Sequence, residues 1–175
     1  MSSLAALVSD ARPDGVDLIF REVFRRHAVG VAVVTAGVDK PVGFTATSLV
    51  SVSAEPPLLS FNISKTSSSW PTVCRSEHLA IHLLAEHQGA VATVFATSGI
   101  DRFAEVPGWR RGPYQVPLLP DALAHLVARV HTRIDAGDHA VVIAAVLDGA
   151  HTDAAPLVAH QGGWTGLRQR QGDSR

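Results

Sequence analysis

The pattern of apolar and polar positions divides the chain into many short strand-like runs with few helices between them. Apolar spacing of the helical kind predicts an amphipathic helix over 17–28, a second over 86–98 and a short one over 70–75. Runs typical of strands cover residues 31–36, 42–52, 58–63, 78–84, 124–134, 140–147 and 157–160. About seven strands with two or three helices predict a mostly β protein with peripheral helices, arranged as a small antiparallel barrel.

The remaining segments set the limits of the domain. Residues 1–16 and the polar tail 168–175 are expected to be flexible, which leaves one domain over 17–167. Within it, residues 100–120 carry aromatic residues and several prolines but no regular pattern. A long irregular stretch of this kind often covers a functional site, so we interpret it as a candidate lid.

Composition narrows the class of protein. At 175 residues and 46% hydrophobic, the chain is sized for one compact domain with a real core. Its 15 Lys and Arg nearly balance 16 Asp and Glu, which argues against nucleic acid or a membrane surface as the partner. The single cysteine, Cys74, permits no intrachain disulfide, and no signal peptide or membrane-spanning run is visible. We therefore expect a cytoplasmic protein.

Two clusters of small hydroxyl residues are the main candidate for chemistry. One lies in the second predicted strand, and the other follows the third strand beside Lys65. The clusters comprise Thr45, Thr47 and Ser48, and then Ser64, Thr66, Ser67, Ser68 and Ser69. Hydroxyls on paired strands, followed by good helix-capping residues, can accept a planar ring and a phosphate. A single cluster is more typical of a helix cap and a turn, and it is the presence of two clusters on adjacent strands that favours a binding site.

Other common chemistries lack their motifs. The sequence has no dinucleotide-binding glycine fingerprint, no phosphate-binding Walker loop, no cysteine-based metal site and no nucleophile elbow. His78 and His82 have the spacing of a metal-binding pair only on a helix, whereas they lie in a predicted strand. We therefore expect no metal.

The order of motifs along the chain resembles a known family. GVAVVTA, then PVGFTATSLVSVSAEPPLLSFNISKTSSSWP, DRF and finally GDH closely resemble the flavin reductase family with the flavin-binding split-barrel fold. Members are the small reductase components of two-component monooxygenases. The resemblance covers about residues 20–167 and implies a split β-barrel homodimer with flavin between subunits. It also implies hydride transfer from NADH to FAD or FMN, and delivery of reduced flavin to a partner monooxygenase.

The same resemblance implies roles for particular residues. His139 in the GDH motif would face the nicotinamide side of the flavin as the catalytic residue, although a lone histidine there is also compatible with a structural turn. Ser68 and Ser69 would contact the flavin phosphate. The other implied cofactor-binding residues are Pro41, Val42, Gly43, Phe44, Thr45, Thr47, Ser48, Asn62, Ile63, Ser64, His160, Gln161 and Gly162.

Two positions depart from the family pattern. An arginine commonly ends the helix near Val94, where this chain reads ATVFATS, and Gln161 stands where the family usually has another arginine. The second departure predicts a preference for NADH over NADPH, because a 2′-phosphate would lack a strong anchor. The choice between FMN and FAD stays open. The alternative function is a non-catalytic split-barrel protein that holds flavin or haem as a carrier or sensor.

Overall fold

The computed structural model describes residues 15–167. The expectations for flexible ends therefore fall, apart from Gly15 and Val16, outside the described residues. The helices are α1 Val16–Arg26, α2 Trp70–Val73 and α3 Gly89–Ala96, and single 3₁₀ turns lie at Glu86–Gln88 and Pro113–Gln115. The strands are β1 Val29–Gly30, β2 Ala32–Ala36, β3 Val42–Ala46, β4 Val50–Ser53, β5 Leu58–Ser64, β6 His78–Leu83, β7 Arg110–Arg111, β8 Pro117–Leu118, β9 Ala124–Ala136, β10 His139–His151, β11 Leu157–His160 and β12 Gly163–Gly166.

Seven of these strands form one curled antiparallel sheet in the order β3-β2-β6-β9-β10-β5-β4. Its two edge strands, β3 and β4, are consecutive in the chain and are joined by residues 47–49. A link of this length spans at most about 15 Å, so the two edges must approach each other. The edges do not pair with one another. The sheet is therefore an incompletely closed barrel, and the predicted mostly β class is confirmed.

The predicted single strand over 42–52 is wrong, because the chain leaves the sheet between β3 and β4. The Oγ of Ser48, inside this break, accepts the backbone N–H of Asn62 at 2.8 Å. A serine hydroxyl that binds backbone in this way competes with the regular strand ladder. The break lets one sequence run supply both edges of the barrel.

Two buried layers share the strand β2, which is buried along its whole length. Ala32, Val34 and Ala36 face the barrel interior with Phe61 and Ile63. On the other face, Val31 and Val33 join a second cluster with Phe95 of α3 and with Phe103 and Leu119. This double burial explains why the run over 31–36 is apolar on both faces.

The long segment over 100–120 is anchored to the barrel rather than loosely draped over it. The Nε2 of the buried His82 accepts the N–H of Leu119 at 3.1 Å, and Thr35 Oγ1 donates to the Pro117 carbonyl at 2.6 Å. The segment's own Phe103 and Val106 are buried in the cluster that contains Phe95. The candidate lid is therefore a fixed strap whose first residues are positioned by the core.

The remaining predicted elements occur with shifted limits. The helix over 86–98 begins as a 3₁₀ turn before α3, and the strands over 124–134 and 140–147 extend into the 13-residue strands β9 and β10. Sequence patterns did not indicate the short strands β1, β7, β8 and β12. None of the helices in the described range combines the length and apolar character needed to cross a membrane.

Candidate functional site

Two depressions on the barrel surface meet at Arg102, which lines both of them. We call the first, of about 480 Å³, the hydroxyl groove. Of the residues expected to bind cofactor, it contains Phe44, Thr45, Thr47, Ser48, Asn62, Ile63, Ser64 and His139. We call the second, of about 580 Å³, the Trp109 chamber. It contains Pro41, Val42, Gly43, Ser68 and Ser69 from the same expected set, together with Trp109.

The hydroxyls of the groove are held in defined positions by hydrogen bonds. Thr45 Oγ1 donates to the Ala92 carbonyl of α3 at 2.7 Å, which leaves its oxygen lone pairs to the groove. Ser64 Oγ lies 2.8 Å from Thr66 Oγ1 and accepts the Thr66 N–H at 3.2 Å. Such local bonds to backbone fix the loop after β5 and orient the hydroxyls before any ligand arrives.

Gly43 lies where β3 passes beneath α3, and its identity follows from the space available. A Cβ at this position would stand 2.6 Å from the ring of Phe95, so only glycine allows this close approach. The close packing brings the Gly43 carbonyl to the boundary between the two depressions, where Ser69 Oγ donates to it at 2.9 Å.

The two serines expected at a phosphate differ in their surroundings. Ser69 is fully buried and its hydroxyl proton is given to Gly43. Ser68 is exposed and accepts a hydrogen bond from Arg102 Nη1 at 3.2 Å, and the same nitrogen lies 3.5 Å from Ser69 Oγ. Ser68 is therefore the one whose hydroxyl is directed to the rim of the depressions, while Ser69 holds the loop against β3.

Arg102 is a candidate functional residue that was not predicted from the sequence. Its Nη1 donates to the Gly43 carbonyl at 3.1 Å, and its Nε donates to the Thr97 carbonyl at the end of α3 at 2.9 Å. Partial burial lowers the pKa of the guanidinium, which still remains charged because arginine titrates far above neutral pH. Arg102 of the DRF motif thus places a guanidinium beside the end of α3.

His139 opens β10 and lies opposite Ser64 of β5. Its Nδ1 lies 2.8 Å from Asp138 Oδ1, and this hydrogen bond with His139 lowers the pKa of the Asp138 carboxyl. The turn before it requires Gly137, whose φ of 63° is in the left-handed region. Because Nδ1 is engaged by Asp138, Nε2 is the ring nitrogen left for a ligand in the groove.

Lys65 connects the turn that precedes His139 to the loop of hydroxyl residues over 64–69, which we call the hydroxyl loop. Its Nζ forms an ion pair with Asp135 Oδ1 at 2.9 Å and donates to the Gly137 carbonyl at 3.1 Å. Its backbone N–H also donates to the Asp138 carbonyl at 3.0 Å. The two sequence-distant parts of the groove are thereby held as one unit.

His160, Gln161 and Gly162 lie apart from the groove, in a third depression of about 480 Å³ beside α1. His160 ends β11, and Gln161 and Gly162 form the turn to β12 with φ of 51° and 81°. The Gln161 N–H donates to the Arg25 carbonyl at 2.8 Å, so the turn is attached to the end of α1. Thr47 lines both this depression and the hydroxyl groove and is the link between them.

The donor set of the groove fits a flavin phosphate and ring system. Hydroxyl oxygens, a guanidinium and one imidazole nitrogen converge on it, and apolar walls come from Phe44, Ile63 and Phe95. Among residues 15–167, no three His, Cys, Asp or Glu side chains lie close enough together to hold a metal ion.

Comparison with known proteins agrees with this geometry. The flavin reductase like domain family matches residues 24–168. An NADH:FMN oxidoreductase of Rhodococcus qingshengii is 44% identical over 149 residues, which covers 82% of this chain and 78% of the relative. Reductase subunit HsaB of a flavin-dependent monooxygenase from Rhodococcus jostii is 34% identical, over 85% of this chain and 76% of its own.

Solved structures show the same fold. An NADH:FAD oxidoreductase from Streptomyces globisporus, determined in complex with NAD and FAD fragments, superposes with a TM-score of 0.85 at 27% identity. The superposition covers 94% of this chain and all of the other, at 100%. The chain therefore belongs to the flavin reductase-like family, and both the resemblance read from the sequence and the split-barrel fold class are confirmed.

Proposed function

We propose that this protein is an NADH-dependent flavin reductase that transfers hydride from NADH to FMN or FAD. The observation that carries the proposal is the convergence of the hydroxyl loop, Arg102 and His139 on one groove. Similarity to an NADH:FMN oxidoreductase and to a monooxygenase reductase subunit supports the same activity. Flavin and NADH supply the redox chemistry when bound, so the protein needs no strong acid or base of its own.

The residues of the groove bind and orient. Ser68 and Arg102 are placed to hold a phosphate, since a guanidinium and a hydroxyl both suit its oxygens. Thr45, Ser48 and Ser64 present oxygens on the groove wall, and packed Phe44 and Phe95 keep one side of it dry. His139 presents Nε2 to the groove with Asp138 fixing the ring, which supports its role in positioning the dinucleotide.

Delivery of reduced flavin to a separate monooxygenase is the second part of the proposal. The Rhodococcus jostii relative is the reductase subunit of a flavin-dependent monooxygenase. In this chain, Arg102, the exposed Lys40 and a set of neutral hydroxyls line the two depressions, and neutral hydrogen bonds contribute only about 1 kcal/mol each. A site of this strength holds flavin long enough for reduction and still releases the product.

A homodimer is supported by the exposed surface of α1. No residue of this amphipathic helix is buried, and Leu18 and Phe20 are 69% and 60% exposed. Apolar patches of this kind mark interfaces, and Phe20 and Phe24 also line the depression that contains His160, Gln161 and Gly162. A second copy covering α1 would bring these residues into a site shared between subunits, which would complete the set expected from the family.

The single domain over 17–167 and a cytoplasmic setting complete the proposal. The lone Cys74 has no disulfide partner in the sequence, which suits a reducing compartment. NADH, the proposed reductant, is a cytoplasmic substrate.

Two measurements on the purified protein test this function. The visible absorption spectrum after flavin addition, or of copurified pigment, separates a flavin protein from a haem protein. Oxidation of NADH in the presence of added FMN or FAD then separates an enzyme from a carrier. Turnover that requires flavin is the expected result, and flavin binding without NADH oxidation would support the carrier instead.

A further inference from the structure

The flavin ring and first phosphate placed in the hydroxyl groove leave the Trp109 chamber without a proposed ligand. It continues from the groove past Arg102 and Ser68, the residues placed to hold the first phosphate. FMN ends at that phosphate. A ligand that continues beyond it and past Arg102 enters the chamber.

The chamber has the walls that a purine base prefers. Pro41, Val42, Ile100 and Trp109 give it apolar and aromatic surface, and its volume of about 580 Å³ lies in the usual range for small-molecule sites. The Trp109 indole is fixed from two sides: Phe103 packs edge-on with ring centroids 5.1 Å apart, and the Arg111 guanidinium lies 5.3 Å from the ring centroid. A held, half-buried indole is a preorganised stacking platform.

The mouth of the chamber has the charge that a diphosphate needs. Arg102 and the exposed Lys40 both line it. Asp101 also lines it, but its Oδ1 accepts the N–H groups of Phe103 and Ala104, each at 3.2 Å. The carboxylate is thus directed to backbone donors, and two cations remain to meet an anionic linker.

We propose that the Trp109 chamber is a subsite for an adenosine 5′-diphosphate moiety, with adenine against Trp109 and the diphosphate between Arg102 and Lys40. This inference rests on the proposed function, because it assumes flavin in the hydroxyl groove. FAD and NADH both carry this moiety. Occupation by FAD makes the chamber the determinant of FAD over FMN affinity, and occupation by NADH makes it a determinant of dinucleotide binding.

The test compares ligands that differ only in the adenosine end. Dissociation constants for FMN and FAD are measured by fluorescence titration, and the KM for NADH is measured with FMN as acceptor. The variants are Trp109→Leu, which removes the platform, and Ile100→Asp, which places a repelling carboxylate at an exposed position and spares the core. Tyr114→Leu is the control, since this aromatic residue of the same strap stacks on His78 and lines neither depression. Thermal melting verifies that each variant is folded.

We expect both chamber variants to raise either the ratio of the FAD to the FMN dissociation constant or the KM for NADH, by roughly tenfold, as loss of one base-stacking contact does. The first result assigns the chamber to FAD and the second to NADH. Flavin binding in which neither quantity changes in the folded variants, or in which FMN and FAD weaken equally, would overturn the inference alone. Failure of the wild-type protein to bind either flavin would instead overturn the proposed function on which it rests.

Discussion

Arg102 donates from Nη1 to the carbonyl oxygen of Gly43 at 3.1 Å, which joins the start of the strap to edge strand β3. The bond places a positive charge where the hydroxyl groove and the Trp109 chamber meet. Both ends of the link are constrained, because Gly43 lies against Phe95 and Arg102 also binds the end of α3. The cation is therefore in place before any ligand binds.

Replacing Arg102 by glutamine should weaken binding of FMN and FAD by about 2 kcal/mol, the scale of one charge-assisted hydrogen bond. Arg102→Lys should recover part of the loss, because it keeps the charge without the planar fork. Fluorescence titration measures both. Arg110→Gln, at an exposed arginine of the strap that lines neither depression, is the matched control. Equal flavin affinity in Arg102→Gln and the control would remove Arg102 from the site.

Replacing Ser68 by alanine should have a different effect from replacing Ser69 by alanine. Ser68→Ala is expected to lower flavin affinity by about 1 kcal/mol with the melting temperature unchanged, since its hydroxyl is at the rim. Ser69→Ala is expected to lower the unfolding free energy by about 1 kcal/mol, because its buried hydroxyl bonds Gly43. Calorimetry and titration of both variants decide the matter. If Ser68→Ala leaves affinity unchanged, that serine is only a turn residue.

His139→Ala should raise the KM for NADH and slow flavin reduction while flavin affinity stays nearly constant. The reason is that His139 presents Nε2 to the groove from a turn held independently by Lys65 and Gly137. A purely structural histidine would give a different pattern, in which thermal stability, flavin affinity and NADH affinity all decline together.

Because Gln161 stands where the family usually has an arginine, NADH should be preferred over NADPH in steady-state kinetics.

Stability should fall on acidification because of His82. This side chain is fully buried, its Nδ1–H donates to the Val33 carbonyl at 3.1 Å, and burial lowers its pKa to about 4. Above pH 6.5 the imidazole is neutral in folded and unfolded chains, so it adds no pH dependence. Between pH 6.5 and 4 only the unfolded chain takes up the proton, which removes about 3 kcal/mol of stability in total.

Denaturant unfolding at pH 7.5 and pH 5 measures this effect. His82→Asn should be less stable at the higher pH and should show a smaller further loss at the lower one. His151→Asn, at an exposed position, is the control and should behave like the wild type. Parallel pH profiles for wild type and His82→Asn would show that the buried imidazole does not govern acid sensitivity.

The exposed face of α1 should hold two copies together. Replacing Phe20 and Phe24 by serine removes two large apolar side chains from that face, and light scattering should then report a monomer. Val38→Ser, at a 58% exposed valine elsewhere, should leave the dimer intact. A wild-type protein that is monomeric and active at micromolar concentration would contradict the shared site.

Local patterns were enough to predict most strands and the class of fold. β2 was recognisable because both of its faces are buried, and the GDH turn because Gly137 must adopt a left-handed φ. The break after Ala46 was not predictable from the apolar pattern, which continues through Val50 and Val52. That break depends on a hydroxyl binding the distant backbone of Asn62. The position of the strap was also not predictable from its own sequence, because it is held by hydrogen bonds to His82 and Thr35 of other strands.

The sequence predicted many of the residues that line the candidate site, but it did not predict how they are arranged. Residues of both hydroxyl clusters line one groove, but the prediction that their strands pair is wrong, because β3 and β5 are not neighbours in the sheet. The sequence also could not show that Ser69 is buried while Ser68 is not. Arg102 had a signal in the DRF motif, and its role required knowing that the strap begins beside Gly43. His160, Gln161 and Gly162 join the groove only through Thr47 in one chain.

The most direct test of the central claim is a single turnover without oxygen. Flavin-loaded protein is mixed with one equivalent of NADH, and the absorbance of oxidised flavin is followed in time. We expect rapid bleaching in the wild type, slower bleaching in His139→Ala at saturating flavin, and recovery of the oxidised spectrum when air is admitted. Flavin that stays oxidised in the wild-type protein, with NADH unconsumed, would contradict the assignment of the groove as a site of hydride transfer.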